Sequence, residues 1–503
     1  MKFCSTRGGA RGASFEQAIA RGYAADGGLF VPEVLPRISQ EELERWRNLD
    51  FRGLAEAVLG LFLGEELEAA KLRDLVQGCY AGFTNSEVVP VVRVGKFFVS
   101  ELFHGPTFCF KDLGQQPLVR LLAHFAEARG ERRAMLVSTT GDTGPAAMRA
   151  ASDAASPSLT MVVFFPEGQI SELQRRQMTT CSSDSARVAT FEGGGDDMDL
   201  PLKRMAGDTA FATRHGLCGI NSYNLGRPVA QMIHYFWTYF RVIDQLGLPA
   251  GAPVDIAVPS GALGNLAAGF MVKKMGLPLR RLLVGVNSND ITHRTISRGE
   301  FHRSEQMEKT LSDAINIQVP YNMERILYYL TGEDSALISS WMKEMDQTGR
   351  LTLPAEWLAK MQEVFASVRV DDAAMCEELR RTLKEDSYLA DPHTAVALAA
   401  ARGAMREPGL DGAPVPVAVL ATASPCKFEA SITTAIGSER WASYAQGSSF
   451  PEPARALLAE TERPWCRLTS QGSLASSQSA WEQDVRHVLD TGAWPGVPTR
   501  ARL

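Results

Sequence analysis

The sequence predicts an α/β fold built on parallel sheets, and three observations carry that prediction. Short apolar runs alternate with helical windows along most of the chain. The runs are continuously apolar rather than alternating, as in strands covered on both faces. Two of them, Ala134–Thr139 and Val254–Val258, lead through a glycine-bearing turn into a helical window, which is where open α/β sheets meet ligands.

The first stretch, to about residue 85, reads as helices separated by turns. Asp26-Gly27-Gly28 marks a tight turn, and Pro32 and Pro36 punctuate the chain after it. Ser39-Gln40-Glu41-Glu42 is a capping box, in which the serine hydroxyl and the glutamate satisfy free amides at a helix start. Leu43, Trp46 and Leu49 then recur at helical spacing. Further strands are expected at Leu159–Phe165, Leu282–Val286 and Val415–Leu420, with helical windows at about 145–152, 170–180, 264–275 and 393–405. After about residue 445 the rhythm fails: Ser448-Ser449, Pro451 and Pro453 open a loop, and Ser473–Ser479 is polar and low in complexity. The expected organisation is an N-terminal domain over 1–85, a catalytic α/β region over 86–445 and a partly mobile appendage over 446–503.

Composition narrows the function classes. A chain of 503 residues, 45% hydrophobic, can bury a deep site in about two to four domains. The net charge of −6 gives no basic surplus for nucleic acid. The pairs Arg132-Arg133, Arg175-Arg176 and Arg280-Arg281 read as solvated surface. None of the eight cysteines forms a Cys-x-x-Cys pair or a zinc spacing. They are expected to be reduced thiols in a cytosol-like compartment, and a cytoplasmic location is expected. No window of eighteen apolar residues is present, so no membrane span is expected. The N-terminus lacks the apolar core of a secretory signal.

Four segments can do chemistry, and each also has a plain structural reading. Pro259-Ser260-Gly261-Ala262-Leu263-Gly264-Asn265 follows an apolar strand and opens a helix, a form that cradles phosphate on converging amides. It lacks the Walker A ending and the GxGxxG fingerprint, which disfavours a dinucleotide-binding dehydrogenase. A small-residue turn is its plain reading. Ser138-Thr139-Thr140-Gly141-Asp142-Thr143-Gly144 offers hydroxyls and amides to an anion, or a helix cap by Asp142 or Thr143. His104–Asp112 sets Lys111 among aromatic residues. Burial lowers a lysine's pKa, and a neutral amine can condense with a carbonyl; a surface lysine in an ion pair is the alternative. Thr422 follows the apolar run 415–420, at the strand end where ligands bind. His393, after Asp391-Pro392, reads as a neighbour of a helix cap.

In order and content these segments resemble the threonine synthase family of pyridoxal-phosphate enzymes. Ser5-Thr6-Arg7-Gly8 and Asp26–Glu33 look like its N-terminal domain, and His104–Asp112 looks like its cofactor-lysine motif. Gly141–Gly144, Asn221–Asn224, Pro259–Asn265, Asp290-Ile291 with Arg294, and Ile317–Arg325 come in family order. The wording of Gly264–Gly269, Asn289–Thr295 and Gln318–Arg325 is similar to the threonine synthase-like 2 branch, which is linked to phospho-lyase chemistry giving 2-oxobutyrate. Four departures from the family pattern stand out: Thr140 in place of serine, Gly193–Asp197, Leu225 where tryptophan is common, and Ser424 where histidine is common.

The resemblance implies PLP fold type II, similar to the tryptophan synthase β-subunit, with two parallel-sheet subdomains. It implies pyridoxal 5'-phosphate as cofactor, carried by Lys111 as the catalytic residue. It implies cofactor contacts from Gly261, Ala262, Leu263, Gly264, Asn265 and Thr422, and substrate contacts from Thr140, Asp142, Thr143, Asn221, Asn224 and Arg294. Arg294 and Lys273 are candidates for the leaving phosphate, each with surface pairing as its alternative. The implied substrate is a phosphorylated amino acid, with no metal and a monomer or homodimer as the assembly. The different class of reading is a catalytically silent paralogue that binds the cofactor or a partner.

Overall fold

The computed structural model describes residues 1–194, 197–404, 415–468 and 470–495. Two parallel sheets organise it. The six-stranded sheet runs in the order Phe365–Arg369, Leu279–Val286, Val254–Pro259, Val417–Ala421, Phe97–Glu101, Val91–Val94. Every pair in it is parallel except the last. The five-stranded sheet is parallel throughout, in the order Cys466–Leu468, Ala186–Phe191, Leu159–Pro166, Arg133–Ser138, Leu217–Gly219. All six residues of Val254–Pro259 and all five of Val417–Ala421 are buried, which is why their sequence is apolar except for Asp255, whose carboxylate accepts from Arg280 and from Arg281 N.

The N-terminal stretch is mostly helical, over Phe15–Arg21, Gln40–Arg47, Phe51–Leu63 and Ala69–Tyr80. It also pairs Phe3–Ser5 with Phe30–Pro32. The capping box is present: Ser39 Oγ accepts from Glu42 N at 3.2 Å and Ser39 N donates to Glu42 Oε2 at 2.9 Å. At the Asp26–Gly28 turn, Gly27 takes φ of 79°, a conformation that glycine adopts without strain.

The C-terminal stretch is not the separate appendage that its sequence suggests. Cys466–Leu468 adds the outer strand to the five-stranded sheet, pairing with Ala189–Phe191. Helix Glu452–Ala459 packs on helix Glu172–Thr179. In helix Leu474–Thr491, Trp481, Val485 and Val488 join Phe191, Val162 and Phe164 in one core cluster. The serine-rich run is the start of that helix, with Ser473 Oγ accepting from Ser476 N at 3.3 Å. Within the 193–197 segment, Gly195 and Asp196 lie outside the described residues. Among the described residues no helix is long and apolar enough to cross a membrane.

Candidate functional site

Loops from the C-terminal ends of both parallel sheets build the site, the position α/β topology reserves for ligands. From the six-stranded sheet come the lysine loop after Glu101, the turn after Pro259 and the segment from Thr422. From the five-stranded sheet come the turn after Ser138 and the segment after Gly219.

Lys111 opens helix Lys111–Arg129. The loop before it lies along the end of strand Val417–Ala421. Phe110 N donates to Thr422 O at 2.8 Å, Ser424 N donates to Phe108 O at 2.9 Å, and Cys109 bridges Ala423. The structure therefore brings Lys111 and Thr422, 311 positions apart in sequence, onto adjoining segments. Buried Asp112 holds the loop's curve, accepting from Thr107 N at 2.8 Å and Thr107 Oγ1 at 2.7 Å. Burial lowers the Lys111 pKa to about 8, and the positive charges of Arg227 and Lys427 push the same way against Asp142 and Cys109. Arg227 is itself buried, donating to Ile220 O at 3.1 Å and leaving its Nε without a partner.

The turn Ser260–Leu263 is shaped for a phosphate. Leu263 sits at φ 59°, and no side chain caps the helix Gly264–Met275 beyond it. The first amides of that helix therefore lack a side-chain acceptor, and the helix dipole favours an anion there. A Cβ on Gly264 would come 3.1 Å from Ser222 Cβ, so a side chain there would push Ser222 back by a few tenths of an ångström. At Asn265, Oδ1 is engaged by His234 Nε2 at 2.9 Å, while the buried Nδ2 has no partner. His234 is held neutral, its pKa pushed down to about 4 by burial, so its Nε2–H donates. An unpaired buried donor costs free energy unless a ligand takes it up. A phosphate at this helix start would do so, and the buried amine of Lys111, its pKa lowered to about 8, suits an aldehyde. These residues fit pyridoxal phosphate.

The turn Thr139–Thr143 has a different construction. Thr139 Oγ1 accepts from Gly141 N at 3.1 Å and Gly144 N at 3.0 Å. Thr140 and Thr143 are half-buried. Asp142 occupies the helix-cap position but makes no cap bond. Instead its Oδ1 lies 2.6 Å from Lys427 Nζ and accepts from Gln174 Nε2 at 3.0 Å. Burial opposes its charge, but Lys427 and His393 outweigh burial and bring its pKa to about 2.

The remaining expected residues divide. Asn221 Nδ2 donates to Ser138 O at 3.1 Å, leaving a buried Oδ1 unpartnered near the turn. Asn224 is fully buried and its amide is spent on backbone, donating to Ile19 O and Gly219 O and accepting from Gly226 N. Arg294 spends its guanidinium on Asp290, the His302 ring and carbonyl, and Ser304 Oγ. Lys273 lies in the last turn of the helix that Gly264 begins and donates to Leu279 O and Arg280 O. It thus stands at the other end of that helix from the turn after Pro259. His393 Nδ1 faces Asp391, whose carboxylate also receives His393 N and Thr394 N at the helix start, while its Nε2 accepts from Ala314 N at 3.1 Å.

Sequence reasoning passes over several residues. Lys427, Arg227 and Asn322 are buried polar groups whose partners come from distant segments. Asn322 Nδ2 donates to Ala262 O at 3.0 Å and Ser222 O at 3.1 Å, and Arg325 donates to Asn322 Oδ1, Tyr223 O and Phe30 O. Together they tie the phosphate turn, the 221–224 segment and the N-terminal domain. Among the described residues no group of three or more His, Cys, Asp or Glu could hold a metal ion.

Comparison with known proteins agrees with this geometry. The model of the threonine synthase N terminus matches residues 2–80, that of the pyridoxal-phosphate dependent enzymes matches 86–422, and that of the threonine synthase C-terminal region matches 394–465. The chain is 40% identical to threonine synthase-like 2 of Homo sapiens, over 79% of this chain and 82% of that protein. It is 35% identical to threonine synthase of Pseudomonas aeruginosa, over 86% and 90% respectively. The structure of PLP-bound threonine synthase from Brucella melitensis superposes with a TM-score of 0.85 at 33% identity, covering 97% of this chain and 99% of that one. The fold, the lysine at the cleft and these matches place the chain in the threonine synthase family of pyridoxal-phosphate-dependent enzymes.

Proposed function

We propose that the protein is a carbon–oxygen lyase that releases phosphate from an O-phosphorylated amino acid, with 2-oxobutyrate as its product. The observation that carries the reading is the buried amine of Lys111, its pKa lowered to about 8, on a loop bonded to Thr422 and Ser424, together with a helix start at Gly264 that has no side-chain cap. Amides of Gly261–Asn265 and the Asn265 Nδ2 donor would hold the cofactor phosphate, and Thr422 would meet its ring nitrogen. When bound, pyridoxal phosphate supplies an electron sink for negative charge at the amino acid's α-carbon. Lys111 Nζ, neutral near pH 8, would take the α-proton as a general base. Thr140, Thr143 and Asn221 would orient the amino acid's carboxylate and amine end. Approach of the two sheet domains would keep water out until phosphate has left.

From O-phosphothreonine, loss of the α-proton and the β-phosphate leaves an enamine, which hydrolyses to 2-oxobutyrate and ammonia. The identity of 40% to threonine synthase-like 2 against 35% to a named threonine synthase supports this product. The second reading, threonine from O-phosphohomoserine, is supported by the extent of the match to the Brucella enzyme. Mass-spectrometric product identification with both substrates, in the presence of pyridoxal phosphate, tests the proposal. We expect phosphate and 2-oxobutyrate. Threonine from O-phosphohomoserine would replace the lyase reading with a synthase, and no phosphate from either would reject both.

A further inference from the structure

A second buried lysine stands between the lysine loop and the hydroxyl-bearing turn, and the chemistry above does not use it. Lys427 is 1% exposed. Its Nζ lies 2.6 Å from Asp142 Oδ1 and donates to Thr107 O at 3.1 Å. Two glutamines of helix Glu172–Thr179 complete the lattice: Gln174 Nε2 donates to Asp142 Oδ1 and Gln177 Nε2 to Thr107 O, both at 3.0 Å. Thr107 in turn is bound to Asp112, one residue after Lys111. A single ammonium therefore joins the loop that presents Lys111 to the turn Thr139–Thr143, across the division between the two sheets.

The pairing also decides what the turn can bind. A carboxylate at the cap position of helix Thr143–Ala154 would ordinarily accept from the first amides and set a negative charge at the helix start. Asp142 makes no such bond, because Lys427 draws it aside and neutralises it. Gly144 N is taken by Thr139 Oγ1 and Pro145 has no N–H, so the helix start is left with the Thr143 amide and the half-buried hydroxyls of Thr140 and Thr143, which suit the carboxylate of an amino acid.

We propose that Lys427 is a positioning residue for the amino-acid substrate. Acting through Asp142, it fixes the Thr139–Thr143 turn relative to Lys111, and the tether itself, more than the charge, sets how the turn meets the substrate. The inference rests on the reading of this turn as the substrate site.

The test uses holoenzyme carrying Lys427→Met, Asp142→Asn, or both. O-phosphothreonine and O-phosphohomoserine are titrated while cofactor absorbance, KM, kcat and thermal midpoint are recorded. Lys427→Met should raise KM about tenfold or more, with kcat changed less than about threefold and the substrate-free cofactor spectrum unchanged. The double variant removes both charges, so its thermal midpoint should recover while the raised KM persists. If KM recovers together with the midpoint, the pair is only structural and the inference fails. Should Lys427→Met not fold, the double variant alone decides, by the same comparison with wild type. A wild-type holoenzyme whose spectrum responds to neither substrate would overturn the proposed function and this inference with it.

Discussion

Two buried lysines of similar local composition feel the same carboxylate, Asp142, and behave differently. Cys109-Phe110-Lys111-Asp112 and Cys426-Lys427-Phe428-Glu429 both place a lysine beside a cysteine, an aromatic ring and an acid. Yet the first is pushed down to about 8 and the second is raised above the ordinary lysine range. Burial lowers both. At Lys427 the Asp142 carboxylate at 2.6 Å outweighs burial, whereas Lys111 has the cationic Arg227 for a neighbour and the Phe110 ring 4.4 Å from its Nζ. The difference teaches that a lysine's role is set by partners delivered from elsewhere in the chain, and that local composition does not report them.

Four predictions break or sharpen this comparison. The largest effect is on turnover: Lys111→Ala should cut phosphate release about a thousandfold or more, since both cofactor attachment and proton transfer are lost. The same substitution class should act in opposite senses on stability. Lys427→Met strands a buried carboxylate and should cost about 3–5 kcal/mol in denaturant unfolding. Lys111→Met removes an amine that has no carboxylate partner, and should leave apoprotein stability equal or higher.

The pH dependences share one sign and lie in different windows. Lys111 binds its proton less tightly in the folded than in the unfolded chain, so its contribution makes stability rise with pH between about 8 and 10.5. Asp142 acts in the same direction in a lower window: its stabilisation is present above the unfolded value of 3.8 and is lost as pH falls through about 2. Modification of Lys111 in apoprotein by an amine-selective reagent should therefore titrate with a midpoint near 8; a midpoint near 10.5 would remove the distinction between the lysines. The smallest effect concerns the phosphate turn. Asn265→Ala removes one unpartnered donor and should weaken cofactor binding about tenfold, measured by fluorescence titration.

How much is legible varies with how local the signal is. The strands Val254–Pro259 and Leu159–Pro166 are buried on both faces, so their apolar runs mark them to within a residue or two. Cys466–Leu468 is three residues long and exposed on one side, and its sheet partner lies some 275 positions away, so nothing local announces it. The apolar side of helix Leu474–Thr491 is thinned by serines, and only Trp481, Val485 and Val488 mark it. In the site, the turn after Pro259 is readable because strand, glycine and helix succeed one another directly, whereas Lys111 stands out by its aromatic neighbours and by the family motif around it. At Asn224 and Arg294 the motif does not report the partners the fold supplies, which are Ile19 O and Gly219 O for the first and His302 and Ser304 for the second. Lys427 escapes notice because its carboxylate partner lies 285 positions earlier in the chain.

The most direct test is to find which lysine carries the cofactor. Holoenzyme is reduced with borohydride, digested, and the pyridoxyl group is located by peptide mass spectrometry. The account predicts the label on the peptide containing Lys111 and none on Lys427. A label on Lys427, or on any other lysine, would contradict the assignment of the two roles.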